Sequence, residues 1–197
     1  MKVVGLCGAS GSGKTQLAEA LIAGLKAAGA AVSVVKHAHK RFDIDIPGKD
    51  SYRHRQAGAF EVVVANSHRL AKVREFTAEA EPSVHELLAE LVDLSQYGRE
   101  HWVLVEGFKH ADLPKIEVWR VDRNDRQAPS PERAASGLGP TLPLYPNDPL
   151  VVAVATDDAA SLPEPTGLPV LDLNQPAVVL AFLRQDAGRY EYLPPTD

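Results

Sequence analysis

Residues 8 to 15 read Gly-Ala-Ser-Gly-Ser-Gly-Lys-Thr, a filled G-x-x-x-x-G-K-[ST] string, and its flanks restrict what can be built around it. Val3-Val4-Gly5-Leu6-Cys7 is short, apolar and β-branched at its start, as a buried strand would be. Leu17, Leu21, Ile22 and Leu25 then recur on one helical face. Strand, glycine-rich turn and helix in succession make a phosphate cradle. Gly8, Gly11 and Gly13 let the main chain wrap closely with its N–H groups inward, and those donors act together with the positive end of the helix dipole. Lys14 supplies a point charge for β- and γ-phosphates, and the Thr15 hydroxyl suits Mg²⁺. Ala9, Ser10, Ser12 and Gln16 complete the candidate nucleotide site. The motif with correct flanks favours nucleotide phosphate over a plain glycine turn.

The alternation of strand and helix continues along the chain. Residues 31–36, 60–65 and 151–155 read as β-branched strands, and 102–105 (WVLV) as a fully apolar strand delivering Glu106 at its C-terminal end. Pro47-Gly48 marks a turn before a short helix over 50–57. Ser83 and Glu86 have capping-box spacing, ahead of a helix burying Val84, Leu87, Leu88, Leu91 and Val92. Asn174 is the expected N-cap of a last helix carrying Val178, Val179, Phe182 and Leu183. Residues 69–76 alternate polar with apolar, as a sheet-edge or hairpin strand does, and 115–121 alternate again, as an edge-type strand. The expected fold is an α/β P-loop NTPase: a parallel-dominated sheet flanked by helices, with additional edge strands. One domain is expected over 1–183. Six prolines between 122 and 149 mark a flexible insertion, and 184–197 reads as a loosely ordered polar tail.

The chain's 197 residues suit one medium domain. A net charge of −5 argues against broad binding to nucleic acid or anionic membranes. The lone Cys7 lies in the first strand and reads as a buried structural thiol. No leader precedes that strand and no apolar run approaches ~20 residues, so the expected location is the cytoplasm.

Phosphate loops of this kind need a carboxylate at the end of a neighbouring strand to position Mg²⁺ or its water shell, and Glu106 stands there. Its extra methylene relative to Asp reaches either a metal-bound water or the attacking water; capping a nearby amide is the bland alternative.

Three further segments extend the pattern. They are Lys36-His37-Ala38-His39, Asp43-Ile44-Asp45-Ile46-Pro47-Gly48-Lys49-Asp50-Ser51 and Val105-Glu106-Gly107-Phe108-Lys109. With the early loop and Val154-Ala155-Thr156-Asp157, the chain resembles the molybdopterin-guanine dinucleotide biosynthesis adaptor family, MobB, over most of residues 1 to 183. The resemblance implies a homodimeric protein that binds GTP with Mg²⁺ and hydrolyses it weakly. Lys14 and Glu106 are then the candidate catalytic residues, and Thr15 and Glu106 the candidate metal ligands. It also implies a partner, the molybdopterin guanylyltransferase, which the chain assists without performing the transfer. Molybdopterin is a further candidate ligand. Lys40 stands where the family carries the second histidine of a pair.

His37, His39, Asp43 and Asp45 follow the second strand, on the side where a parallel sheet places its ligand crevice. They either respond to a γ-phosphate or pterin phosphate, or form a solvated loop. Asp50 or Ser51 could cap the short helix, which is the bland reading, or Lys49 could anchor an anionic substrate or partner. Lys109 either meets a phosphate near Glu106 or is exposed. Asp157 could accept guanine's N1–H and exocyclic amine, or it and Asp158 could cap a turn. A small-molecule kinase using ATP is the alternative function, with Arg120, Arg123, Arg126 and Arg133 as either a phosphate-clamping lid or solvated charges. The two edge-type strands could pair across a two-fold axis in a dimer.

Overall fold

The structure, a computed structural model, describes residues 1–38, 42–78, 80–120 and 142–195. These group into two compact units, Ala38–Ser83 and the remainder. The larger unit is built on six parallel strands: β1 (Lys2–Cys7), β2 (Ala31–Lys36), β5 (His101–Glu106), β6 (Lys115–Trp119), β7 (Val151–Thr156) and β8 (Val170–Asp172), in the order β2-β5-β1-β6-β7-β8. Helices α1 (Lys14–Ala27), α3 (Val84–Ala89) and α4 (Pro176–Gln185) belong to it. The smaller unit holds α2 (Asp50–Gln56) and an antiparallel hairpin of β3 (Glu61–Ala65) and β4 (Leu70–Arg74).

The two-residue period of the strands sorts their side chains into two cores. Val4, Leu6, Trp102, Leu104, Ile116 and Val118 pack against Leu17, Leu21 and Leu25 of α1 and Val179 and Leu183 of α4. Val3, Val103, Val105 and Val35 pack against Val84 and Leu88 of α3. Strands covered on both faces read as continuous apolar runs, which is why β1, β5 and β7 were legible. Cys7 is 2% exposed, and burial, with the nearby Glu117 carboxylate, pushes its thiol up to about 12.

The alternating segment that opens at Lys115 does not form an edge strand as far as it is described. β6 runs between β1 and β7 at the middle of the sheet, and its Lys115 and Glu117 are buried. Both charges are matched. Lys115 Nζ donates to the carbonyls of Ala111 (2.6 Å) and Lys109 (3.3 Å) and to Asp148 Oδ2 (2.9 Å). Glu117 accepts from the main-chain N–H groups of Leu144 and Tyr145. A Cβ on Gly5, the residue facing Lys115 across the ladder, would come within 2.9 Å of the Lys115 Cβ. Alternation here records partnered buried charges, not a solvent-facing side.

Asp148→Asn tests that matching. Burial works to raise the Asp148 carboxyl, but the Lys115 hydrogen bond and charge outweigh it, so its folded pKa lies below the ordinary value. A depressed carboxylate stabilises the fold above its unfolded pKa, about 4, and loses that contribution as pH falls through the lower folded value. The variant should cost about 2 kcal/mol at pH 7. Thermal unfolding at pH 7 and in acid should show the gap to wild type closing as the pH drops below about 4.

Other expectations change as well. Residues 142–149, the described end of the proline-rich insertion, are anchored: Tyr145 is buried, and its hydroxyl donates to the Glu164 carbonyl. Residues 122–141 lie outside the described residues. The tail after Arg184 is ordered as far as Tyr192. Tyr190 packs 5.5 Å from the Trp102 ring, and the Tyr192 N–H donates to the Met1 carbonyl. Helix α3 stops at Ala89, leaving Val92 67% exposed. The last helix takes Gln175 as N-cap and Pro176 in its first turn; Asn174 instead donates its N–H to Asp172.

Candidate functional site

Residues 8–13 leave β1 and enter α1 through left-handed glycines. Gly8, Gly11 and Gly13 have φ of 126°, 79° and 100°. At Gly8 the chain passes so close to β6 that a Cβ would sit 2.2 Å from the Val118 carbonyl oxygen. Gly13 is the N-cap of α1 and supplies no side-chain cap. The loop therefore meets the first turn of the helix through main-chain groups, the geometry in which N–H dipoles attract an anion. Lys14 Nζ folds back into the loop and donates to the carbonyls of Gly8 (2.9 Å) and Ala9 (2.6 Å). Burial lowers its pKa, and Lys36 adds to that, while Glu106 opposes it. The Ser12 hydroxyl is enclosed by the loop without a hydrogen-bond partner.

The strand order puts β5 directly beside β1, so Glu106 reaches the loop. Its Oε1 accepts from the Thr15 hydroxyl and the Lys36 ammonium, each at 2.8 Å. Burial pushes the Glu106 carboxyl up, but the Lys36 and Thr15 hydrogen bonds and the charges of Lys36 and Lys14 prevail, so the net shift is downward and the group is held as a carboxylate. Oxygen donors from Thr15 and Glu106 thus converge at one corner, the chemistry Mg²⁺ selects when phosphates supply the rest of its shell.

A cleft of about 410 Å³ is lined by Ser10, Gly11, Gly13, Lys14, Thr15, Gln16, Lys36, Glu106 and Arg120. Arg120, read from the sequence as one of four arginines of a phosphate-clamping lid or of a solvated stretch, is the one of the four among the described residues, and it lines the cleft. Its Nε lies 3.1 Å from Asp157 Oδ2, as an ion pair without hydrogen-bond alignment. Asp158, next to it, caps the short turn Ala159–Ser161 by accepting from the Ala160 N–H.

The remaining candidates are not among the residues lining this cleft. The His37 ring packs 5.0 Å from Phe108, and the His37 main-chain N–H donates to the Glu106 carbonyl. Lys109 is exposed, while its carbonyl serves Lys115. In the smaller unit, Asp43 and Asp45 both bind Arg55, which also reaches Glu75. Lys49 is the N-cap of α2, and Asp50 pairs with Arg53 at 3.8 Å. His39 lies outside the described residues, as do Arg123, Arg126 and Arg133.

A parallel sheet with a glycine loop after its central strand, and a carboxylate ending the adjoining strand, defines a P-loop NTPase-like α/β protein. The fold is similar to a MobB homolog from Bacillus stearothermophilus (TM-score 0.60, 22% identity, 95% of this chain and 99% of that one) and to Bacillus subtilis MobB (TM-score 0.61, 20% identity, 98% and 100%). The family model for molybdopterin guanine dinucleotide synthesis protein B matches residues 3–136. The chain is 35% identical over 181 residues to the molybdopterin-guanine dinucleotide biosynthesis adapter protein of Haemophilus influenzae, covering 92% of this chain and 86% of that protein. To the Escherichia coli adapter protein it is 42% identical over 111 residues, which are 56% of this chain and 61% of that protein. The chain belongs to the MobB family.

Proposed function

We propose that this protein is a GTP-binding adaptor in the synthesis of molybdopterin guanine dinucleotide, serving the guanylyltransferase of that pathway. The observation that carries the reading is the convergence of Lys14, Thr15, Glu106 and Lys36 in one cleft at the mouth of the glycine loop. Main-chain N–H groups and Lys14 would hold the phosphates. Thr15 and Glu106 would hold Mg²⁺, which would neutralise charge on the β- and γ-phosphates when bound. Lys36 keeps Glu106 ionised and placed. Glu106, locked between two donors, is poorly free to take a proton from water, and this supports slow GTP hydrolysis over rapid turnover. The family's reaction supports the guanine preference, with Asp157 and its ion-pair partner Arg120 as the candidate nucleoside contacts. Molybdopterin remains a candidate second ligand.

The reading includes a homodimer in the cytoplasm. No helix among the described residues is long and apolar enough to cross a membrane. The β3–β4 hairpin exposes Val63, Val64 and Leu70, and a two-stranded sheet is marginal on its own, which favours cover by a second copy.

Calorimetry with GTP and ATP, magnesium present, is expected to show saturable GTP uptake and a GTP preference. Mass analysis of the reaction should find slow phosphate release to water. ATP preference with γ-phosphate transfer to a small acceptor would favour the kinase instead. Light scattering at micromolar concentration should give twice the chain mass, and a monomer would remove the dimer from the account.

A further inference from the structure

The cleft has two flanks, set by strand order. β2 and β5 lie on one side of β1 and end in Lys36 and Glu106; β6 and β7 lie on the other, and Arg120 and Asp157 follow them. The Thr15–Glu106 corner, which suits Mg²⁺ between β- and γ-phosphates, occupies the first flank. A nucleotide seated with its γ end at that corner must run its nucleoside toward the second. There the Arg120 guanidinium lies against the loop: a Cβ on Gly13 would sit 3.2 Å from Nη1 and 3.4 Å from Cζ. Asp157 holds the side chain from behind, and the buried Nε has no hydrogen bond.

We propose that Arg120 recognises the nucleoside end of the bound guanine nucleotide, its planar guanidinium lying along the purine face, and that Asp157 is the positioning residue that holds it there. This inference rests on the GTP-binding reading. Three features support it. The cation is on the flank away from the metal corner, so it is badly placed to stabilise charge at the γ-phosphate. A guanidinium is planar and weakly hydrated, and stacks on aromatic faces where an ammonium does not. The Asp157 carboxylate lies 3.1 Å from the Arg120 Nε, so it is placed to hold the guanidinium by charge.

Calorimetric titration of GTP and GDP, with magnesium, into wild type, R120A, R120K, D157N and R120A/D157N tests this. R120A should weaken GTP and GDP equally, each about ten-fold. R120K keeps the charge but not the plane, and should stay within about three-fold of R120A. D157N should weaken both nucleotides and add nothing once Arg120 is gone. Several results would overturn the proposal: unchanged affinities in R120A, a loss for GTP but not GDP (a γ-phosphate contact), wild-type affinity restored by R120K (a charge contact to phosphate), or a further loss of GTP from D157N in the R120A background (direct base reading). Wild type that takes up neither nucleotide sinks the GTP reading and this inference together. Wild-type uptake with R120A unchanged sinks the inference alone.

Discussion

Lys14→Ala will lower GTP affinity by more than about a hundred-fold, a loss of about 3 kcal/mol or more. The ammonium is the one charged group that the loop itself carries inside its curve, 2.9 and 2.6 Å from the carbonyls of Gly8 and Ala9. A hydrogen bond to an anionic phosphate in a partly buried site is charge-assisted and about twice as strong as a neutral one. Lys36 cannot take over, because its ammonium is held by Glu106. The fold should barely notice the change, since two carbonyl contacts at a cleft wall are replaced by water. Calorimetry with a thermal melt of the same sample separates the two effects. Unchanged affinity in a folded variant would contradict the phosphate assignment.

Gly8→Ala will act on the fold itself. The residue has φ of 126°, where L side chains are strained, and the added Cβ would meet the Val118 carbonyl at 2.2 Å and its carbon at 3.2 Å. Val118 is fully buried in β6, so neither partner can move without parting β1 from its neighbour. Strain and overpacking together should cost about 4 kcal/mol, lowering the melting temperature by about 10 °C. Gly11→Ala is the control. Its φ is 79°, but nothing lies within 4 Å of the added Cβ, so about 1 kcal/mol is expected. Equal shifts for the two variants would show that the close approach to β6 carries no energy.

The strand–loop–helix unit and the strand carrying Glu106 were legible because each is a local signal: an apolar run, a glycine spacing, a helical stripe. The hairpin was legible for the same reason, and residues 70–74 of the alternating segment do pair antiparallel with β3. Reading failed where a buried side chain is polar. Lys115 and Glu117 look like a solvent face until Asp148, Tyr145 and the carbonyls that satisfy them are folded into place from 33, 28 and fewer residues away. It failed again at the C-terminal end, where polar composition hides Tyr190, 1% exposed against the first core.

Residue order alone determined that a glycine loop joins a buried strand to a helix, and that Lys14 and Thr15 open that helix, because turn conformation and periodicity act between near neighbours. Tertiary structure decided which strand ends lie beside the loop. Lys36, Glu106 and Arg120 stand 22, 92 and 106 positions from Lys14 and reach one cleft only because β5 and β6 flank β1, with β2 next to β5. Lateral strand order comes from burying two sheet faces at once, a condition on the whole chain that no local window contains.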